Sequence, residues 1–285
     1  MEPRATKRCP RCEGVYDAAA GFCQRDGTRL VQAAEGEAPD PLLGRVLLEQ
    51  FRVEEVIGAG GMGTVYRARQ TTLDRDVAVK VLHRDLVQNA DALRRFQREA
   101  RIATALDHDN LVRVFLLGRL DDGSLYLVME YLRGRSLSDL LHEQGPMELE
   151  RALGLVLQLC EGVGEAHAHG VVHRDVKPDN VVVVARGGSE QVKVLDFGVA
   201  RLLYDAQTML TQSGVIFGTA RYISPEGAAG DPTDARSDVY SIAVLLFQLL
   251  AGETPFDGAS QVALLMKHLH TPAPHIRNLA PAVPE

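Results

Sequence analysis

The residues best suited by type and spacing to do chemistry lie in two short runs. His173-Arg174-Asp175-Val176-Lys177-Pro178-Asp179-Asn180 is followed, sixteen residues beyond Asn180, by Asp196-Phe197-Gly198. Asp175 can accept or orient a hydroxyl proton, Asn180 and Asp196 offer hard oxygen ligands for Mg²⁺ or Mn²⁺, and Lys177 brings positive charge to a migrating anionic group. Those are the requirements of phosphoryl transfer. Asp179 has no part in such a set and reads as a cap or turn residue. His173 and Phe197 have the types of a base and a stacking ring, but internal packing that holds the two runs is the better reading. His108, His142, His167 and His169 show no metal-ligand spacing and read as structural or solvated.

Upstream, Ile57 precedes Gly58-Ala59-Gly60-Gly61-Met62-Gly63-Thr64-Val65, a G-x-G-x-x-G-x-V run. Glycines let backbone N–H groups approach phosphates with no Cβ in the way. The same spacing occurs in dinucleotide-binding turns, but those require a helix after the last glycine, whereas TVYRARQ alternates as a strand does. A strand-loop-strand flap over nucleotide phosphates fits better. Val77-Ala78-Val79-Lys80 then puts a lysine on the next strand; in isolation it would be an ordinary solvated residue, but its place after the Gly-rich hairpin suits it to nucleotide phosphates. Such a lysine needs a helical carboxylate partner. Glu99 is the candidate, because Asp91, the other acid of that helix, falls in the first turn where it complements the dipole.

The elements that must position these groups follow from periodicity. FRVEEVIG (51–58), TVYRARQ (64–70), DVAVKVL (76–82), LVRVFLLGRL and SLYLVMEYL alternate between turn signals, giving five strands. One helix over 90–106 shows Leu93, Phe96, Ala100, Ala103 and Leu106 on one face. VVVV and VKVL predict a hairpin between Asn180 and Asp196. The rest is helical: Ser136 and Asp139 have capping-box spacing, and the helix over 149–170 places Leu149, Leu153, Val156, Leu157, Cys160, Val163 and His167 on a common face, which makes Cys160 a core residue. ARSDVYSIAVLLFQLLAG (235–252) reads as a largely buried helix ended by glycine.

These motifs, in this order, resemble the eukaryotic-like Ser/Thr protein kinases of bacteria over roughly residues 43 to 275. The resemblance implies an α+β, two-lobed protein kinase fold: a five-stranded antiparallel sheet with one helix, then a mostly helical lobe. It implies ATP and Mg²⁺ or Mn²⁺ as co-substrate and cofactor, and protein serine or threonine hydroxyls as acceptors. By position, Met129 resembles the gatekeeper, Glu130 to Leu132 the hinge that binds adenine, and Val65, Ala78 and Val182 the apolar sandwich around the purine, with Ile57 at its edge. Lys177, with Gly218-Thr219 ahead of Tyr222, is the Ser/Thr rather than Tyr pattern, and Ser224-Pro225-Glu226 stands where the family commonly has A-P-E. Arg174, Arg201 and Arg95 are placed to converge on a phosphate carried by Thr211 or Ser213, with Thr208 in reserve, so activation-loop autophosphorylation is expected. A pseudokinase scaffold that binds nucleotide without transfer is the competing reading; it would be favoured by loss of Lys80, Asp175 or Asp196, and all three are present. In this family the large lobe continues beyond the point matching the end of this sequence. An incomplete lobe is therefore expected, with Glu226 lacking its usual Arg partner and apolar surface of the 235–252 helix available for self-association.

Composition bounds the rest. The chain has 285 residues, 46% of them hydrophobic, and a net charge of −7, which argues against nucleic acid or an anionic membrane surface as partner. No run approaches the roughly 18 apolar residues of a membrane helix and the start has no signal-peptide stretch, so a cytoplasmic location is expected. Three of four cysteines, Cys9, Cys12 and Cys23, lie in residues 1–31, ahead of a polar linker over 32–41, with the kinase-like region from 42 to 285. With Asp26 they give C-x2-C-x10-C-x2-D, which resembles a zinc ribbon whose fourth cysteine is replaced by Asp; a Zn²⁺ site and a metal-free arm both remain open.

Overall fold

The computed structural model describes residues 6–8, 15–17, 31–32, 40–60, 63–83, 104–196 and 219–284. Cys9, Cys12, Cys23, Asp26, Gly61, Glu99, Arg95, Arg201, Thr208, Thr211, Ser213 and the helix expected over 90–106, except its last residues, lie outside them. At the N-terminus, β1 (Thr6–Arg8), β2 (Val15–Asp17) and β3 (Val31–Gln32) form an antiparallel sheet in the order β2-β1-β3. Arg8 is in register with both Val15 and Val31. The end of β1 and the starts of β2 and β3 therefore lie at one end of this sheet.

The chain divides into two compact units. The first, Met1–Asp85 with Gly118–Tyr131, holds the larger sheet. That sheet contains β4 (Val46–Leu47), β5 (Phe51–Gly60), β6 (Gly63–Gln70), β7 (Arg75–Leu82), β8 (Val114–Arg119), whose residues up to Leu117 are counted with the second unit, and β9 (Leu125–Glu130), in the order β4-β5-β6-β7-β9-β8. Six strands replace the five expected, because β4 has only two residues and no alternation can reveal it. Cross-strand register fixes what each face carries. Val53, Ala68 and Val77 align, as do Tyr66, Val79 and Val128, and all six are buried. Each valine among them is worth about 1.5–3 kcal/mol of burial. A slip of one residue would put Arg67, Arg69 and Lys80 in their place, so the register is strongly specified. Arg67 and Arg69 instead pair on the exposed side with Glu54, Glu55, Asp74 and Asp76. The expected linker is tied down at its end: Asp40 accepts hydrogen bonds from the Tyr66 hydroxyl at 2.8 Å and from the Leu42 N–H at 2.9 Å. Burial first, and then Asp40, push the Tyr66 hydroxyl well above its ordinary range.

The second unit, Leu86–Leu117 with Leu132–Glu285, carries β10 (Gly134–Ser136), α1 (Leu137–Gln144), α2 (Leu149–Ala168), the hairpin β11 (Val181–Arg186) and β12 (Ser189–Val194), then α3 (Pro225–Ala229), α4 (Ala235–Ala251) and α5 (Gln261–His270). Ser136 caps α1 as expected, but the reciprocal half differs from a capping box: Ser136 Oγ accepts from the Asp139 N–H at 3.0 Å and itself donates to the Asp139 carboxylate at 2.7 Å. The apolar face of α2 does not fall where the large side chains suggested. Ala152, Leu155, Val156, Leu159, Gly162, Val163 and Ala166 are buried, whereas Leu153, Leu157 and Cys160 are exposed, so Cys160 is not a core residue. Close approach explains the shift. A Cβ on Gly162 would lie 2.9 Å from Leu111 Cδ2 and 3.0 Å from the Asn110 carbonyl, so small residues mark the contact face and bulk is a misleading guide.

At the far end, Leu264 and Leu265 of α5 pack with Phe256 and with Ala220 of a short 3₁₀ turn, Thr219–Tyr222. His268 lies in the same region, 4% exposed, and burial lowers its pKa to about 4, outweighing the Ala220 carbonyl, which raises it. Because the folded value lies below the ordinary 6.5, the neutral ring's contribution to stability is complete above pH 6.5 and is lost as pH falls toward 4. The melting-temperature difference between the wild type and His268→Phe should accordingly shift against the wild type between pH 7 and pH 4.5; a pH-independent difference would show that the ring titrates normally.

Candidate active site

The acidic and amide groups singled out by sequence converge at one end of the β11–β12 hairpin. Asp175 Oδ2 accepts hydrogen bonds from Lys177 Nζ at 2.9 Å and from Asn180 Nδ2 at 3.1 Å, and Asn180 Nδ2 also donates to the Asp175 carbonyl at 2.8 Å. Pro178–Asn180 form a 3₁₀ turn, with Pro fixing its first residue, and Asn180 then opens β11. The Leu195 N–H donates to the Asn180 carbonyl at 2.8 Å. This bond sets Asp196, at φ 51°, beside Asn180. With its amide nitrogen turned to Asp175, Asn180 directs its side-chain oxygen the other way. An amide oxygen and a carboxylate are the donor types that a hard divalent cation takes.

What holds this loop is a residue the sequence reading passed over. Asp238, on α4 and fully buried, accepts hydrogen bonds from the backbone N–H of His173 and of Arg174, both at 2.7 Å, and contacts His167 Nε2 at 2.7 Å. Arg174 has φ 62°, a left-handed conformation that costs about 1 kcal/mol or more for a non-glycine residue, and the bond to Asp238 offsets it. His173, fully buried, extends the anchor. Its Nδ1 accepts from the Asp175 N–H at 3.3 Å, which leaves Nε2 to carry the proton donated to the Leu195 carbonyl at 2.8 Å. One imidazole thus ties the Asp175 loop to the Asp196 segment. Its position in the first turn of α4 reads from sequence as a complement to the helix dipole, so no local signal marks Asp238 as buried.

In the sheet unit, strand register aligns the other candidates. Gly58 is opposite Val65, Val65 opposite Lys80, and Ala78, two residues before Lys80, opposite Met129. These five share the face opposite the buried valines. Lys80 is 8% exposed and Met129 7%. The glycines divide by duty. A Cβ on Gly63 would lie 2.1 Å from the Val81 carbonyl oxygen, so β6 and β7 themselves require it, whereas one on Gly60 would meet nothing. Openness over Gly60 is what a bound phosphate would use. Ile57 is exposed just before this run, Glu130 closes β9, Leu132 follows, and Val182 is half-buried on β11.

Glu226, expected to lack its partner, accepts a hydrogen bond from the Ser237 hydroxyl on α4. Burial raises its pKa, but bonds from Ser237, its own N–H and Ser224 outweigh that and hold it below the ordinary value. Tyr222, two residues before Ser224, donates to Gln248 Oε1 at 2.5 Å; burial, and then the Asp179 carboxylate, push its hydroxyl well up, so Asp179 lies near this turn.

Asp238→Ala should destabilise the protein by about 2–4 kcal/mol, because two buried N–H groups lose compensation worth ~1–3 kcal/mol each while the carboxylate's desolvation is relieved. Thermal unfolding and nucleotide-dependent activity measured together would check this. An unchanged melting temperature with full activity would remove Asp238 from the role of anchor.

Residues 51–281 match the protein kinase domain family. The chain is 43% identical over 243 residues to the serine/threonine-protein kinase PknB of Mycolicibacterium smegmatis, covering 84% of this chain and 38% of that protein. It is 38% identical over 244 residues to the serine/threonine-protein kinase PrkC of Bacillus subtilis, covering 86% and 37%. The chain thus spans less than half the length of these curated relatives. Among solved structures, the kinase domain of Mycobacterium tuberculosis PknI is similar with a TM-score of 0.62 and 26% identity, covering 85% of this chain and 98% of that one. With the Asp175, Asn180 and Asp196 geometry in place, this chain belongs to the protein kinase family, among relatives named bacterial Ser/Thr kinases.

Proposed function

We propose that the protein transfers the γ-phosphoryl group of ATP to serine or threonine hydroxyls of proteins. The observation that carries this reading is the Asp175 carboxylate, bonded at one oxygen by both Lys177 and Asn180. Asp175 accepts or orients the proton of the acceptor hydroxyl, and Lys177, already drawn to the same carboxylate, is within reach of the negative charge that develops on the phosphoryl oxygens. Asn180 and Asp196 hold the divalent metal, Mg²⁺ or Mn²⁺, which supplies charge neutralisation when bound. Lys80, paired with Glu99, holds the nucleotide phosphates; Gly58, Gly60, Gly61 and Gly63 cover them; Ile57, Val65, Ala78, Met129, Glu130, Leu132 and Val182 take the base. Phosphorylation of Thr211 or Ser213, read by Arg95, Arg174 and Arg201, is the proposed activating step. Incubation with Mg²⁺ and labelled ATP should label a generic Ser/Thr substrate, and Asp175→Asn should retain ATP binding while losing about 10²-fold or more in rate. Transfer by Asp175→Asn at the wild-type rate would overturn the assignment, and phosphosite mapping in the same assay reports on Thr211 and Ser213.

A second reading concerns residues 1–31. We infer that Cys9, Cys12, Cys23 and Asp26 bind one Zn²⁺, serving fold or partner docking. The support is the donor spacing, together with a β2-β1-β3 register in which Arg8, Val15 and Val31 lie at the same end of the sheet. Among the described residues no cluster suited to a metal and no helix long and apolar enough to cross a membrane is present. Elemental analysis of protein purified without chelator should find one zinc per chain, lost in Cys9→Ser; absence of zinc from the wild type would overturn the site. Val239, Val262 and Met266, exposed on α4 and α5, support self-association as a further property.

A further inference from the structure

The Gly-rich hairpin of the sheet unit is thinly tied at its tip. β5 pairs with β4 only at Phe51 and Arg52, so over 58–60 it has a ladder partner on one side alone, β6. That ladder is itself interrupted twice, between Val53 and Glu55 and between Val56 and Gly58. At the tip, Gly60 lies opposite Gly63, and Gly63 opposite Leu82 of β7, so the last row of three strands contains two glycines. Neither offers a side chain to hold the row. The residue after Leu82 does: His83 Nε2 is 3.0 Å from the Gly60 carbonyl oxygen. A carbonyl oxygen can only accept, so the ring donates from Nε2. Among the described residues no other side chain bonds the backbone of 58–60.

What this bond spans gives it a role. β6 lies between β5 and β7 in the sheet, so His83 reaches past its neighbouring strand to fix the end of the one beyond. Orientation matters there as much as position. Phosphate oxygens are met by backbone N–H groups and repelled by carbonyl oxygens, and a glycine with open space around it lets its peptide turn either way. A carbonyl engaged by His83 no longer has that freedom. We propose that His83 is a positioning residue for nucleotide phosphates: by holding the Gly60 carbonyl it keeps that acceptor oxygen away from them and the hairpin tip against the end of β7. This rests on the kinase reading, in which the hairpin covers the phosphates of ATP. Val65 and Ala78, proposed to take the base, lie two and four residues further along β6 and β7 from the Gly63–Leu82 row, so His83 acts on the phosphate end of the ligand and leaves adenine binding alone.

Titration calorimetry on the whole chain tests this with two ligands that share the base and differ in the triphosphate, ATP with Mg²⁺ and adenosine. His83→Ala should weaken ATP binding about two- to fivefold, the loss of one exposed hydrogen bond, and leave adenosine binding unchanged. A general loosening of the sheet unit would weaken both. His83→Gln, which returns an N–H donor, should recover most of the ATP affinity. The bond is present without ligand, so amide hydrogen exchange of peptides spanning 58–65 in nucleotide-free protein should quicken in His83→Ala and return toward wild type in His83→Gln. Unchanged ATP affinity in His83→Ala overturns the proposal, as does an equal loss for ATP and adenosine, a loss that His83→Gln does not reduce, or exchange that stays the same. If the wild type binds neither ligand, the kinase reading fails, and the exchange arm alone decides whether His83 holds the hairpin tip.

Discussion

A single buried carboxylate organises the second unit. Asp238 projects from the first turn of α4 and takes the N–H groups of His173 and Arg174, two consecutive donors that the left-handed turn at Arg174 directs one to each carboxylate oxygen. A charge at zero exposure carries a desolvation cost of several kcal/mol, tolerable only when its oxygens are fully bonded. Here three donors meet it, His167 included. The carboxylate is therefore intolerant of a loop in any other conformation, which converts a stability liability into positional accuracy.

From that anchor the order propagates through backbone and one ring. His173, placed by Asp238, uses its two nitrogens in opposite senses, accepting from the Asp175 N–H and donating to the Leu195 carbonyl. The Leu195 N–H in turn bonds Asn180, whose amide returns to Asp175. The circuit closes on itself, so the groups proposed for proton transfer and metal binding cannot move separately. Its members are short side chains on a strand hairpin and a 3₁₀ turn, with few rotamers to fix. The sheet unit reaches similar order by other means: its register is enforced by six buried side chains on one face, and Gly58, Val65, Ala78, Lys80 and Met129, proposed to meet the nucleotide, are what remains on the other.

Much of this was legible in the sequence, for a definite reason. Strand alternation and turn glycines are local, so β5, β6, β7, β9 and the β11–β12 hairpin, and with them the faces carrying Lys80 and Asn180, could be placed from spacing alone. The order of the Gly-rich run, Lys80, the Asp175 loop and Asp196 likewise named the chemistry, because phosphoryl transfer needs those types. Long-range contacts left no such trace. On α2 the expected Val156 and Val163 are interior, but the close approach of Leu111 and Asn110 to Gly162 brings Ala152, Leu155, Leu159, Gly162 and Ala166 in with them and leaves Leu153, Leu157 and Cys160 outside. Asp238 and His268 are separated in sequence from everything they hold, by 64 residues in the bond to Arg174, and only tertiary packing makes their burial and partners definite. The sequence by itself determined which groups are proposed for phosphate chemistry; the fold decided which buried polar groups hold them still, since a desolvated carboxylate or imidazole acquires a role only from the donors and acceptors packed around it.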